Sequence, residues 1–266
     1  MLRYRRLNLD GVPILFANSF PKSGTHLLTQ VLQGFPAIGP AVDSGLPAVV
    51  TYIGENGRQR STGEILADLN RLLPGDIAYG HLHARPEVVD HLCQDGIAAY
   101  FILRDPRDVV VSHVHYVTEI ETDHIHHAFY TEVLENFDQR LRTSITGIPN
   151  SEIPFPDIYQ RFEPYLGWLD RPEVLCLRFE DFVQEREVAL NQVYDHAVGR
   201  GFPSSMARSR SIQTLSESID PQRSPTFRSG KVGGWRSQFS PENKALFKGI
   251  AGDLLVRLGY EQDDNW

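Results

Sequence analysis

The stretch ILFANSFPKSGTHLLTQVL, residues 14–32, changes character twice. An apolar run of strand type stops at Phe20-Pro21, passes through Lys22-Ser23-Gly24-Thr25, and continues with apolar residues at helical period. A strand feeding a short polar loop and then a helix leaves unpaired N–H groups at the helix start, facing any anion placed there. Gly24 lets the chain approach closely, Ser23 and Thr25 add hydroxyl donors, and Lys22 contributes a compact charge. The usual nucleotide loop, G-x-x-x-x-G-K-[ST], puts its lysine after a second glycine, whereas Lys22 precedes Gly24. The alternative for these residues is a plain tight turn capped by Ser23.

Three more apolar runs join VPILFANS (12–19) as expected buried strands: IAYGH (77–81), AAYFILR (98–104) and VLCLRFE (174–180). Each is followed by a helix-like segment, so the chain reads as α/β, with a parallel sheet flanked by helices on both faces. Ligands of such sheets sit at the carboxyl ends of the strands, where the first loop would lie. Ser61 to Glu64 fits a capping box, and Ser240-Pro241 places a cap and then proline at a helix start. From about 121 to 172 the pattern is helical but broken by Pro149, Pro154, Pro156 and Pro164. That region is expected to be a helical cap over the site within a single domain, 1–266. Residues 219–239 hold five Gly or Pro and four basic residues, which suggests a long functional loop.

With 266 residues, 41% of them hydrophobic, the chain can bury the core that such a domain needs. A net charge of −8 argues against general nucleic-acid binding, though local donors can still hold an anion. Two cysteines, Cys93 and Cys176, far apart in sequence, give no disulfide framework and suggest a reduced, cytoplasmic protein. MLRYRRLNLDGVP and the short run after it are not expected to act as a signal peptide. No apolar run is long enough to span a bilayer.

Two more motifs complete the picture: YFILRDPRDVVVSHVHY, with Arg104 at a strand end and Ser112 eight residues on, and FRSGKVGGWR late in the chain. Together with PKSGT, these residues make the chain resemble sulfotransferases that use 3′-phosphoadenosine 5′-phosphosulfate (PAPS), of the cytosolic and bacterial type. The resemblance spans residues 14–236 and includes the family signature R-x-G-x-x-G-x-W-[KR], here Arg228 to Arg236. It implies a P-loop-like three-layer fold. It also implies that Lys22, Ser23, Gly24, Thr25 and His26 hold the 5′-phosphosulfate end of PAPS. Arg104 and Ser112 match the holders of the 3′-phosphate, and Arg228, Ser229 and Gly230 match the loop that closes over it. The chemistry agrees, since a guanidinium can clamp a phosphate in bidentate fashion. Arg104 could instead be tied in a helix-end ion pair with Asp105 or Asp108.

Vertebrate members carry Trp where this chain has Leu27, so adenine is expected against an aliphatic wall, with Phe179 on the other side. Ser211 and Ile212, in SIQTL, resemble the family's adenine-side segment S-F-x-x-L. His81, in GHLHARPE, matches the histidine of the family's T-H-L-P segment, which accepts the acceptor's proton. A neutral imidazole suits that task near pH 7. His83 is the rival, and Tyr79 stands where vertebrate members have a lysine. Lys22 would stabilise charge on the leaving oxygen.

The implied reaction is in-line transfer of a sulfuryl group from PAPS to a hydroxyl or amine, leaving adenosine 3′,5′-bisphosphate (PAP), with no metal required. The acceptor would be a small molecule, glycan or lipid, bound by loops near 35–60 and 120–160, the first read as a lid; a homodimer is possible. His113, His115, His124, His126 and His127 invite a metal reading, but no Cys, Asp or Glu pattern completes a site. They are expected to line an acceptor cleft or to be solvated, with Tyr165 and Trp168 in the core of the cap. The competing functions are a nucleotide kinase or NTPase, and a nucleotide-binding homologue without catalysis.

Overall fold

In the computed structural model, residues 9–54, 57–148, 155–224 and 230–266 are described. The first half runs β1 (Ile14–Ser19), α1 (Thr25–Leu32), β2 (Val42–Asp43), β3 (Val49–Val50), β4 (Tyr52–Ile53), β5 (Arg58–Gln59), α2 (Thr62–Leu69), β6 (Asp76–His81), α3 (Pro86–Leu92), β7 (Ile97–Leu103) and α4 (Pro106–His115). It continues with α5 (Phe137–Thr146), α6 (Ile158–Phe162), β8 (Val174–Arg178), α7 (Phe179–Gln184), α8 (Arg186–Gly199), α9 (Arg208–Glu217), α10 (Pro241–Ala251) and α11 (Leu254–Arg257).

The main sheet has the order β2-β6-β1-β7-β8, β3 also pairs with β6, and every pair in it is parallel. In β1, Leu15 and Ala17 face the core built with Leu28, Val31 and Leu32 of α1 and Leu190 and Val193 of α8. Phe16, between them, is equally buried on the other face, and so are Val88, Val89 and Leu92 of α3. Covering both faces explains why these strands read as continuous apolar runs. The expected P-loop-like, three-layer α/β fold is what the chain adopts.

By packing, the chain divides into two compact units. The sheet unit takes its described residues from Met1–Thr51, Arg60–Leu103 and Gly167–Pro225; the helical unit takes its own from Tyr52–Gln59, Arg104–Leu166 and Thr226–Trp266. In the helical unit Val110, Val114, Leu141, Ile145, Phe162 and Phe247 are buried. There Asn243 Nδ2 donates to Asp138 Oδ1 at 2.7 Å, tying α10 to α5. Arg107 is buried, paired with Asp105 and with Glu261, and covered by the rings of Trp235 and Trp266.

Some elements differ from the sequence expectation. Phe179 opens α7 instead of lying within the strand expected over 174–180, because β8 stops at Arg178. The segment expected as a lid contributes β2 and β3 to the sheet edge, in strands of two residues that are too short to show a period. Trp168 belongs to the sheet unit instead of the cap, since its Nε1–H donates to the Leu82 carbonyl at 2.8 Å. The capping box at Ser61 and Glu64 and the Ser240 cap form as expected.

Candidate active site

β1 gives way at Ser19 to the turn Phe20–Gly24, which opens α1. The Phe20 N–H donates to the Ile102 carbonyl (3.2 Å) and the Ser23 N–H to the Phe20 carbonyl (3.2 Å). Lys22 has φ 68°, the only positive value at a non-glycine among the described residues. A left-handed backbone costs roughly 1–2 kcal/mol, and such strain collects at functional turns. Gly24, at φ 99°, is the N-cap of α1, so the turn is not capped by Ser23. A Cβ at Gly24 would stand 2.8 Å from Phe179 Cδ2, which leaves room for hydrogen alone.

Among the described residues no side chain caps α1, and its first turn has no acidic residue. The Ser23 hydroxyl is buried without a hydrogen-bond partner among the described residues. An unmet buried hydroxyl costs about 1–3 kcal/mol, and an anionic oxygen would meet it. The turn and the start of α1 therefore have the charge, the helix-opening N–H groups and the hydroxyl of an anion seat.

His81 ends β6 beside this turn. Its Nδ1 lies 3.0 Å from the Ser19 carbonyl oxygen and 3.0 Å from Ser19 Oγ. Asn18 Nδ2 donates to the Leu82 carbonyl (3.0 Å), while the Leu82 N–H donates to Asn18 Oδ1 (2.8 Å). Thr51 donates to the His81 carbonyl from both its N–H and its hydroxyl, each at 3.1 Å. The backbone of His81 is thus fixed from β1 and from the end of β3. Burial, and then the nearby His26 and Lys22, hold the His81 pKa below its ordinary value against the opposing Ser19 carbonyl. Burial and Lys22 lower the pKa of His26 in the same way. His83 is pushed down to about 4 by burial and by Arg85.

The expected adenine residues also lie in the sheet unit. Leu27 packs against the apolar core, Ile212 is a buried member of it, and Phe179 is buried over Gly24. Ser211 is buried, with its hydroxyl 3.2 Å from that of Ser204.

The helical unit carries the residues matched to the second phosphate. Arg104 Nη2 donates to the Lys231 carbonyl at 2.7 Å and stands 3.6 Å from Asp108 Oδ2. The Asp108 carboxylate accepts from the Gly233 N–H (2.7 Å) and the Trp235 N–H (2.9 Å). Arg104 is therefore ion-paired to Asp108 and joined to the late loop at once. Ser112 lies on α4, half-buried, and Gly230 has φ 60°. Arg228 and Ser229 lie outside the described residues.

Residues 101–259, more than half of the chain, match the family described as sulfotransferase domain. The chain belongs to that family. Among solved structures, this sulfotransferase is similar to retinol dehydratase in complex with androsterone and the inactive cofactor PAP. Identity there is 18% over 91% of this chain and 80% of that one, with a TM-score of 0.58. It is similar to a mouse sulfotransferase complexed with PAP, at 18% identity over 94% and 85% of the two chains and a TM-score of 0.59. Retinol dehydratase with retinol and PAP matches at 17% identity over 91% and 81%, with a TM-score of 0.57. At such identities the likeness speaks for the fold.

Elsewhere in this sulfotransferase the histidines from His113 to His127 lie against neighbours on their own segment and beyond it. His113 Nδ1 meets Ser144 Oγ at 2.9 Å, and its ring stacks on Phe155 at 4.6 Å. His115 pairs with Glu119, and His127 Nδ1 meets the Val117 carbonyl at 2.7 Å. The ring of His124 is 6.0 Å from that of His113 and 5.4 Å from that of His126. Among the described residues no group of three or more His, Cys, Asp or Glu side chains could hold a metal ion. No helix among them is long and apolar enough to cross a membrane.

Sequence reasoning missed Asn18, Ser19 and Thr51 as supports of His81, and Asp108 as the anchor of the late loop. A hydroxyl at a strand end carries no signal until the pairing of β1 with β6 is known.

Proposed function

We propose that this sulfotransferase takes PAPS as donor and a hydroxyl or amine as acceptor. PAPS, when bound, supplies the sulfuryl group and carries PAP as its leaving group. The observation that carries the reading is the start of α1, which no side chain among the described residues caps, with the buried Ser23 hydroxyl that has no partner among them. The N–H groups opening α1 and the hydroxyls of Ser23 and Thr25 hold the 5′-phosphosulfate end, with Gly24 giving close approach and His26 beside them. Lys22 offsets the charge that grows on the leaving phosphate oxygen. His81 Nε2 takes the acceptor's proton, which the contact of Nδ1 with the Ser19 carbonyl supports. His83, held near 4 by burial and by Arg85, is left out of that role.

Arg104 and Ser112, with Arg228, Ser229 and Gly230, take the 3′-phosphate; the contact of Arg104 with the Lys231 carbonyl supports that assignment. Leu27, Phe179, Ser211 and Ile212 line the adenine side, in an apolar setting that suits a base. The acceptor is a small molecule, or a glycan or lipid, with a free hydroxyl or amine. By this reading residues 1–266 are one catalytic domain that works without a metal.

Calorimetry with PAP and adenosine 5′-monophosphate, followed by a mass-shift screen of acceptors with PAPS, tests the proposal. PAP should bind more tightly than the monophosphate, and at least one acceptor should gain the mass of a sulfuryl group. No heat with PAP would end the reading, and binding without any turnover would reduce the chain to a nucleotide-binding homologue.

A further inference from the structure

We infer that Ser19 is a positioning residue for His81, setting which ring nitrogen carries the proton and linking that nitrogen through Thr25 to the anion seat. The inference rests on the proposed roles of His81 and of the turn before α1. A carbonyl oxygen only accepts, so the 3.0 Å contact between His81 Nδ1 and the Ser19 carbonyl requires a proton on Nδ1. In the neutral ring Nε2 is then the bare nitrogen, free to take a proton. Ser19 Oγ, also 3.0 Å from Nδ1, accepts a share of the same N–H.

The Ser19 hydroxyl must send its own proton elsewhere. Thr25 Oγ1 is 2.7 Å away and the Gly80 carbonyl 3.4 Å, so the short contact takes it. Thr25 Oγ1, accepting from Ser19, points its own hydrogen away from Ser19, at the first residue of α1. Donation then runs one way: His81 to Ser19 to Thr25, with Thr25 the donor nearest the anion seat. An anion accepting from Thr25 polarises each bond behind it and stabilises the proton arriving at Nε2.

Other charges facing His81 come from Lys22 on the turn and His26 on α1, and both disfavour a second positive charge. Val49, Val50 and Thr51, on the β3 side, add none. On its own segment His83 and Arg85 follow. Filling the seat should make His81 more basic in two ways, by screening Lys22 and through Ser19. Removing the Ser19 hydroxyl isolates the second.

The test is nitrogen-15 NMR of the imidazoles across pH, with and without PAP, on the full chain and its Ser19→Ala and Ser19→Thr variants. Free wild-type protein should show His81 as the Nδ1–H tautomer, and PAP should raise its titration midpoint. Ser19→Ala should lose the part of that rise that passes through Ser19 and keep a smaller one, while PAP affinity by calorimetry changes less than about threefold, and Ser19→Thr should restore it. With PAPS and an acceptor, kcat of Ser19→Ala should fall about three- to tenfold at nearly constant KM for PAPS. An Nε2–H tautomer in the wild type would overturn the inference even if the variants failed to fold. An undiminished rise in Ser19→Ala, with normal PAP binding, would overturn it and leave the proposed function standing. Absence of PAP binding by the wild type would bring both down.

Discussion

His81 and His83 are two residues apart, yet their surroundings separate them. His81 has one ring nitrogen engaged by β1, whereas His83 is held near 4 by burial and Arg85. Replacing His81 by Asn should lower kcat about 10²- to 10⁴-fold, the usual worth of a general base, with PAP affinity nearly unchanged. Single-turnover rates and calorimetry check the two halves of that statement; activity retained in the variant would move the role to His83. The pH dependence has a definite sign. Burial, His26 and Lys22 depress the His81 pKa, so the neutral base persists to lower pH than an ordinary imidazole. Activity should be flat through neutrality and fall with acid only beneath the ordinary imidazole range, as the pH profile of kcat/KM in free enzyme would report. Arg104→Ala should weaken PAP about 10- to 150-fold and leave adenosine 5′-monophosphate unchanged, since only PAP has the 3′-phosphate. Equal losses for both nucleotides would refute the 3′-phosphate assignment. PKSGT and the histidine of GHLH were legible as residues; the support from Ser19 was not, because it depends on a strand pairing sixty-two positions away.

Among the elements, the turn before α1 shows how little room is left. Gly24→Ala would force a left-handed alanine whose Cβ stands 2.8 Å from Phe179 and 3.3 Å from Ile102. The expected loss is about 2–4 kcal/mol in urea unfolding, together with weaker PAP binding. Gly80 presents a second close approach, since a Cβ there would collide with the Val49 carbonyl where β3 joins β6. The long strands were visible because a run buried on both faces is apolar throughout. β2 and β3 were not, since two residues carry no period and their pairing with β6 is what makes them strands. The helix-like segment expected after 174–180 is two helices, α7 and α8, which meet at Glu185.

For the whole molecule the measurable quantity is stability with and without ligand. PAP at about a hundred times its Kd should add roughly 2.7 kcal/mol, a rise in Tm of about 5–11 °C for a chain of this size. Differential scanning fluorimetry reads this directly, and a chelator in the same assay and in turnover should change neither value. Arg107→Met should cost about 3–5 kcal/mol in chemical unfolding, because the buried Asp105 would keep its charge without the guanidinium.

The amino-acid order alone determined the class of fold and the place of the turn before α1, because hydrophobic period, a glycine after a lysine and serine, and strand-then-helix alternation are local properties. It also carried the family likeness, which lies in short contiguous motifs. The tertiary structure alone decided that Ser23 lacks a partner among the described residues, that Ser19 holds the ring of His81, and that Asp108 secures the loop through Gly233 and Trp235. Those are contacts between residues far apart in the chain, or the absence of such contacts. No local pattern encodes them; they exist only once parallel pairing and helix packing have fixed which atoms meet.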